Sequence, residues 1–251
     1  MKVVIIGSGN TATILGRKIK ACGHDILQVS GRNQQAVKQL AAELDSDPNN
    51  DMSLVNKSAD IYIAAIADSA LPHLHKELSL DKKTVVHTAA AVPKDVLQGV
   101  SVNYGVLYPL QTLRKEQTYL PGIPFLVDGN TADDIALIQD FASTLSGKVM
   151  VADDAQRLKV HVAAVFVSNF VNYLYTAAED FCEKEQVDFS LLLPLIQETA
   201  GRLQELSPRQ SQTGPAVRND QPTIQKHLEV LRSHPRLKEL YELFTNKLMS
   251  Q

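Results

Sequence analysis

The chain has 251 residues, enough for one large core or two modest ones. Hydrophobic residues make up 44% and charged residues 21%, which excludes wholesale disorder, and a formal net charge of −3 gives no electrostatic basis for a nucleic-acid partner. Cys22 and Cys182 lie far apart and share no metal-ligand spacing with any histidine. They read as buried small apolar residues of a reducing compartment, and no metal is expected. A first strand beginning at Val3 leaves no room for a signal peptide, and no apolar run reaches bilayer length, so the expectation is a cytoplasmic protein without membrane contact.

Up to about residue 150, short β-branched runs alternate with helical patterns. Strands are expected at Val3–Ile6, Ile26–Val29, Ile61–Ile66, Thr84–Thr88, Val102–Leu107, Phe125–Val127 and Lys148–Val151. Helical stretches between them include Thr11–Cys22, Gln34–Leu44 and Ala132–Leu145. Apolar strands alternating with helices imply an α/β domain with a doubly wound, mainly parallel sheet. Near Ala152 the pattern becomes wholly helical. Asp153 and Asp154 are placed to cap a helix running unbroken to about Lys184, on the order of 45 Å long. Helices at Leu191–Leu206, Thr223–Ser233 and Leu237–Leu248 follow, with an aperiodic loop at Ser207–Gln221. Two domains are expected, 1–152 and 153–251, the second all-helical.

Gly7-Ser8-Gly9-Asn10-Thr11-Ala12 follows the first strand and opens a helix, the setting in which a G-x-G-x-x-G/A pattern marks a dinucleotide-binding Rossmann turn. Gly7 permits the tight turn, Gly9 lets the backbone approach a pyrophosphate, and Ala12 keeps helix and strand close. The end of the second strand distinguishes the nucleotides. A carboxylate there suits the ribose 2′-hydroxyl of NAD, whereas a 2′-phosphate needs cations and hydroxyls. Asp25 stands at the strand's start, roughly 16 Å from the ligand edge. At that edge are Ser30-Gly31-Arg32-Asn33, where Arg32 offers a planar fork and Ser30 a hydroxyl. The expected cofactor is therefore NADP(H), bound by Gly7, Ser8, Gly9, Asn10, Thr11, Ser30, Arg32 and Asn33.

Ala65-Ile66-Ala67-Asp68-Ser69-Ala70 reaches the same edge of the sheet, and Ala67 is placed against the adenosine half. Asp68-Ser69 fits a ligand contact or, better, the N-cap of the next helix. In His87-Thr88-Ala89-Ala90-Ala91 the small residues leave space for a nicotinamide ring beside Thr88, and they also simply pack well. On the long helix, His161, Ser168 and Asn172 fall within about 40° of one another at 100° per residue, with Asn169 about 60° from Asn172. Such a polar stripe among apolar neighbours needs partners: a ligand, the other domain, or a dimer seam. Tyr108 and Gln111, in a proline turn after a strand, and Arg218, in the Gln212–Asp220 loop, are candidates for substrate contacts. Asp220 reads as a helix cap rather than an acid.

Gly7–Ala12, Ser30-Gly31-Arg32, Tyr108-Pro109-Leu110-Gln111-Thr112, His161 through Phe170 and Thr213-Gly214-Pro215 together resemble a family spanning the whole chain. It pairs an N-terminal Rossmann-like domain with a C-terminal helical domain of unknown function. More distantly the chain is similar to pyrroline-5-carboxylate reductase, the deazaflavin-dependent NADP oxidoreductases and the β-hydroxyacid dehydrogenases. The resemblance implies NADP binding, a helical dimerisation half, and reductase or dehydrogenase activity, without a substrate. One departure stands out. Hydroxyacid dehydrogenases carry a catalytic Lys four residues before an Asn on the helix after the Rossmann domain. Aligning that Asn with Asn169 puts Val165 at the lysine position, and Lys159 projects about 160° from His161. His161 is the candidate acid instead.

The expected activity is hydride transfer to or from a small polar substrate in the cleft between the two halves. His161, Ser168 and Asn172 are the candidate catalytic residues, and Tyr108, Gln111, Asn169 and Arg218 the candidate substrate contacts. A non-catalytic NADP-binding sensor or interaction protein is the alternative, because the same glycines serve both. The apolar surface of the long helix predicts a homodimer formed through it.

Overall fold

Every residue of Val3–Ile6 is buried, as a strand covered on both faces requires. This strand, β1 (Lys2–Ile6), pairs in parallel with β2 (Asp25–Ser30) on one side and β4 (Ile61–Ala64) on the other. The computed structural model describes residues 1–250. In it β3 (Asp47–Asn49), β5 (Thr84–His87), β6 (Tyr104–Pro109), β7 (Phe125–Gly129) and β8 (Val149–Val151) complete one sheet of order β3-β2-β1-β4-β5-β6-β7-β8. Pairing is parallel except between β6 and β7. The sheet is thus the mainly parallel Rossmann sheet expected. Its order reverses between β1 and β4, which makes the carboxyl ends of those strands the ligand edge.

Alternation along the strands divides the core between the two faces. Val3 and Ile5 pack with Ile14, Leu15 and Leu40, whereas Val4 and Ile6 pack with Tyr62, Leu71 and Leu74. The first face is covered by α1 (Asn10–Ala21), α2 (Gln34–Leu44) and, toward β7, α3 (Ala132–Leu145). On the second face a 3-10 segment, Asp68–Lys76, contributes Leu71 and Leu74, and Pro72 lies within it. Two strand expectations shift. The strand expected at Val102–Leu107 begins at Tyr104, because the Ser101 hydroxyl turns the preceding chain by donating to Asp81 and Lys83 carbonyls. β3 was not anticipated, since Asp47-Pro48-Asn49 has no strand-forming residue, and only edge pairing to β2 makes it one.

The long helix is also different. α4 (Asp154–Ala164) is capped as expected by Asp153, which accepts from the Gln156 N–H. It then widens into a π-helical segment, Val165–Phe170, before α5 (Val171–Lys184). The i→i+5 spacing there advances less than 100° per residue, so the arithmetic that aligned His161, Ser168 and Asn172 does not carry past Val165. The chain folds as two units, Met1–Ser168 and Asn169–Gln251. α4 therefore belongs with the sheet, although the strand pattern ends near Ala152.

The second unit holds α5, α6 (Leu193–Gly201), α7 (Pro208–Ser211), α8 (Gln221–Val230) and α9 (Pro235–Met249). Asp220 caps α8 by accepting from the Thr223 N–H, as expected, and Pro235 opens α9. Few apolar side chains are buried in this unit, Cys182, Ile224 and Leu231 among them, while Leu191, Leu195, Leu243 and Phe244 remain exposed. Cys182 is thus buried as expected, but Cys22 is exposed, because it ends α1 at the surface. No described helix is long and apolar enough to cross a membrane.

Candidate functional site

β1 ends in Gly7, whose φ of +127° suits glycine alone, and a Cβ there would lie 2.1 Å from the Ala65 carbonyl oxygen. The Gly7 N–H donates to the Ser30 carbonyl at 2.7 Å, which fastens the turn to β2. Gly9 occupies the N-cap of α1, with no side-chain cap, and nothing lies within 4 Å of where its Cβ would be. The first turn of α1 thus carries no side-chain cap on its N–H groups, an arrangement suited to a phosphate. A cavity of about 310 Å³ lies beside the glycine turn, lined by Gly7, Ser8, Gly9, Arg32, Met52, Ala67 and Glu77 among others, whereas Asn10 and Thr11 are outside its lining.

Several of the expected nucleotide residues meet in this cavity and some do not. Arg32 stands in its wall, with Nη2 2.9 Å from Glu77 Oε1. Ser30 is fully buried, and its hydroxyl accepts from Asn49 Nδ2 and donates to Met52 Sδ, so it secures β3. Asn33 caps α2 by accepting from the Ala36 N–H. The cap position before the Asp68–Lys76 segment is Ala67, which forms no side-chain cap, so Asp68 is not the cap that its neighbours suggested. Nothing in the sequence marks Glu77, which stands 45 positions from Arg32.

Farther along the edge, β5 ends at His87, with Thr88 half-buried beside it. His87 is completely buried, and its Nδ1 accepts from the Ala89 N–H. Burial, reinforced by the nearby Arg157 charge, pushes its imidazole down to about 4. Arg157 is only 1% exposed. It donates from Nε to the Ala90 carbonyl and from Nη2 to Val92 O and Asp154 Oδ1, while Asp154 also accepts from the Lys94 N–H. α4 thereby grips the loop that leaves β5. Arg157 escaped the sequence reading, where its signal was the i, i+3 spacing from Asp154 behind a capped helix start.

β6 runs parallel to β5, so its carboxyl end lies at the same edge. There the Tyr108 hydroxyl is 3.0 Å from His161 Nδ1, with the two rings edge to face. Burial pushes the Tyr108 phenol up. Four residues on, the Thr112 hydroxyl meets that of Ser168 at 2.9 Å. Gln111 instead braces its own loop, donating to Gly122 O and accepting from the Thr112 N–H. The loop is tied back to α1, since Asn10 Oδ1 accepts from the Lys115 N–H and Arg17 donates to Lys115 and Gln117 carbonyls. Asn169 and Asn172 belong to the second unit, both exposed and without side-chain hydrogen bonds among the described residues. Arg218 is likewise exposed in that unit, with its N–H bonded to Gly214 O.

Residues 2–91 match the family model described as NADP oxidoreductase, coenzyme F420-dependent, and residues 123–248 match that of a domain of unknown function, DUF2520. A Bacteroides fragilis protein provisionally named an NADP oxidoreductase is 37% identical, with a TM-score of 0.90 over 100% of this chain and 98% of that one. At 17% identity, the 1-pyrroline-5-carboxylate reductase of Streptococcus pyogenes gives 0.66 over 100% and 99%. A reductive aminase of Aspergillus terreus, crystallised with NADPH and ethyl-5-oxohexanoate, is also 17% identical and gives 0.68 over 98% and 94%. These two share the fold. No curated protein matches. The chain belongs to the DUF2520 family, in which that domain here follows an NADP-binding Rossmann domain.

Proposed function

We propose that the protein is an NADP(H)-dependent oxidoreductase acting on a small polar substrate at the carboxyl edge of β5 and β6. The observation that carries this reading is the Tyr108–His161 hydrogen bond at that edge. When bound, the nicotinamide supplies or accepts the hydride. The Tyr108 hydroxyl engages Nδ1 and leaves Nε2, a nitrogen bonded to no other described residue, available to a substrate. The imidazolium form of His161 gives its Nε2 proton to the heteroatom of the carbonyl or imine being reduced and becomes neutral imidazole, which takes the proton back in the oxidative direction. Thr112 and Ser168 supply a second hydroxyl pair to hold the reacting group. The test is NADPH oxidation with a panel of small imines, ketones and acids. Tight NADPH binding with no turnover across the panel would favour a sensor or interaction protein instead.

At the other end of the nucleotide, Arg32 is the cation available for a 2′-phosphate in the cavity. NADPH should bind at least about tenfold tighter than NADH, a difference of about 1.4 kcal/mol. Arg32→Ala should erase the difference and leave NADH affinity nearly unchanged. Calorimetry on both proteins checks this, and equal affinities in the unmutated protein would refute the assignment.

The assembly we propose is a two-fold dimer. Val162, Phe166, Val167, Phe170 and Tyr173 are all at least half exposed, Val167 at 75%, and the second unit leaves further leucines uncovered. Apolar surface of this extent is characteristic of an interface, and a second copy is its commonest occupant. Light scattering at micromolar concentration should report twice the 27.6 kDa chain mass. A strictly monomeric result would refute the dimer.

A further inference from the structure

The cavity beside the glycine turn is closed on one side by an ion pair. Arg32 comes from the segment after β2, and Glu77 from the residue ending the 3-10 segment after β4. Their side chains meet at 2.9 Å, and among the described residues lining the cavity they are the only charged ones. The one cation lining this cavity thus already faces a carboxylate. Of the five donors on its guanidinium, at least one is committed to a carboxylate. A dianion arriving at Arg32 must displace Glu77 or share the arginine with it, and sharing sets two anions close together. A bound NAD(H) presents no charge at that position and leaves the pair intact.

We propose that Glu77 is a specificity-determining residue of the nucleotide site, competing with the 2′-phosphate of NADP(H) for Arg32 and lowering the affinity for the phosphorylated cofactor alone. The inference rests on the reading of Arg32 as the 2′-phosphate ligand. Its size is bounded by exposure, because the Arg32 and Glu77 side chains are 74% and 44% exposed and a pair so solvated is weak. Competition of this strength changes affinity by a few-fold. It tunes the preference for NADP(H) without reversing it.

Glu77→Gln is the informative variant, because the amide keeps the shape and can still accept a hydrogen bond from Arg32 while the charge is lost. Calorimetric titration of the full chain with NADPH and with NADH is compared for the unmutated protein, Glu77→Gln, Arg32→Ala and the double variant. Glu77→Gln should bind NADPH about threefold tighter at low ionic strength, with the gain shrinking as salt rises and NADH unaffected. In the Arg32→Ala background the same substitution should give a smaller gain, because only the direct repulsion by Glu77 is left to relieve. Unchanged or weaker NADPH binding by Glu77→Gln, in a protein whose NADPH preference depends on Arg32, overturns the competition and leaves the arginine's role standing. A gain undiminished without Arg32, or one that extends equally to NADH, also overturns it. An unmutated protein with no NADPH preference overturns the arginine reading and the competition together.

Discussion

Replacing His161 by alanine should lower turnover at least a hundredfold while leaving NADPH affinity unchanged. The first part follows from the size of general acid–base catalysis, typically 10²–10⁴-fold. The second follows from position, since His161 meets Tyr108 at the end of β6, whereas the glycine turn and Arg32 belong to β1 and β2. Tyr108→Phe is the companion variant. It keeps the ring and removes the hydroxyl at Nδ1, so it should retain part of the activity and displace the pH profile. Steady-state kinetics with the best substrate from the panel, together with NADPH titrations, read both effects. If His161→Ala loses fold stability and cofactor affinity along with activity, the histidine is structural.

Acid should destabilise the protein through His87. Its imidazole is held at about 4, first by burial and then by the Arg157 charge, against 6.5 for an ordinary histidine. The unfolded chain therefore takes up a proton near pH 6.5 that the folded chain refuses until about pH 4. The stability this contributes is fully present above pH 6.5 and is lost as the pH falls from 6.5 toward 4, roughly 3 kcal/mol in all. Urea denaturation across that range should show a steep decline in the unmutated protein and a shallower one in His87→Gln. His24, also held below its usual range by partial burial and the N-terminal ammonium, is present in both proteins and cancels in the comparison. Parallel declines would mean that His87 is not held neutral in the folded state.

The residues legible in the sequence were those whose constraint is local. Gly7 is forced by a positive φ and by the Ala65 carbonyl against it, and the spacing Gly7-Ser8-Gly9 after a buried strand announces both. The Asp153 and Asp220 caps were equally plain, because a cap acts on N–H groups three residues away. What escaped depends on partners distant in the chain. Arg157 bonds to Ala90 from 67 positions away, and Glu77 meets Arg32 across 45. Ser30 was read as a free hydroxyl because Asn49, which engages it, lies on a strand that propensity does not signal. The π-helical segment has a different origin. Nothing in Val165-Phe166-Val167-Ser168-Asn169-Phe170 distinguishes i→i+5 from i→i+4 bonding, and nothing in the structure explains the choice.

The most direct test of the account is a crystal structure of the protein with NADP⁺ bound. The pyrophosphate should lie against Gly9 and the first turn of α1, and the 2′-phosphate on Arg32. The nicotinamide ring should rest beside Thr88, with the Tyr108–His161 pair on the side where a substrate would sit. That placement would put hydride and proton on opposite sides of one reacting group. A nicotinamide bound away from Thr88, or a His161 enclosed by protein with no path to the ring, would contradict it.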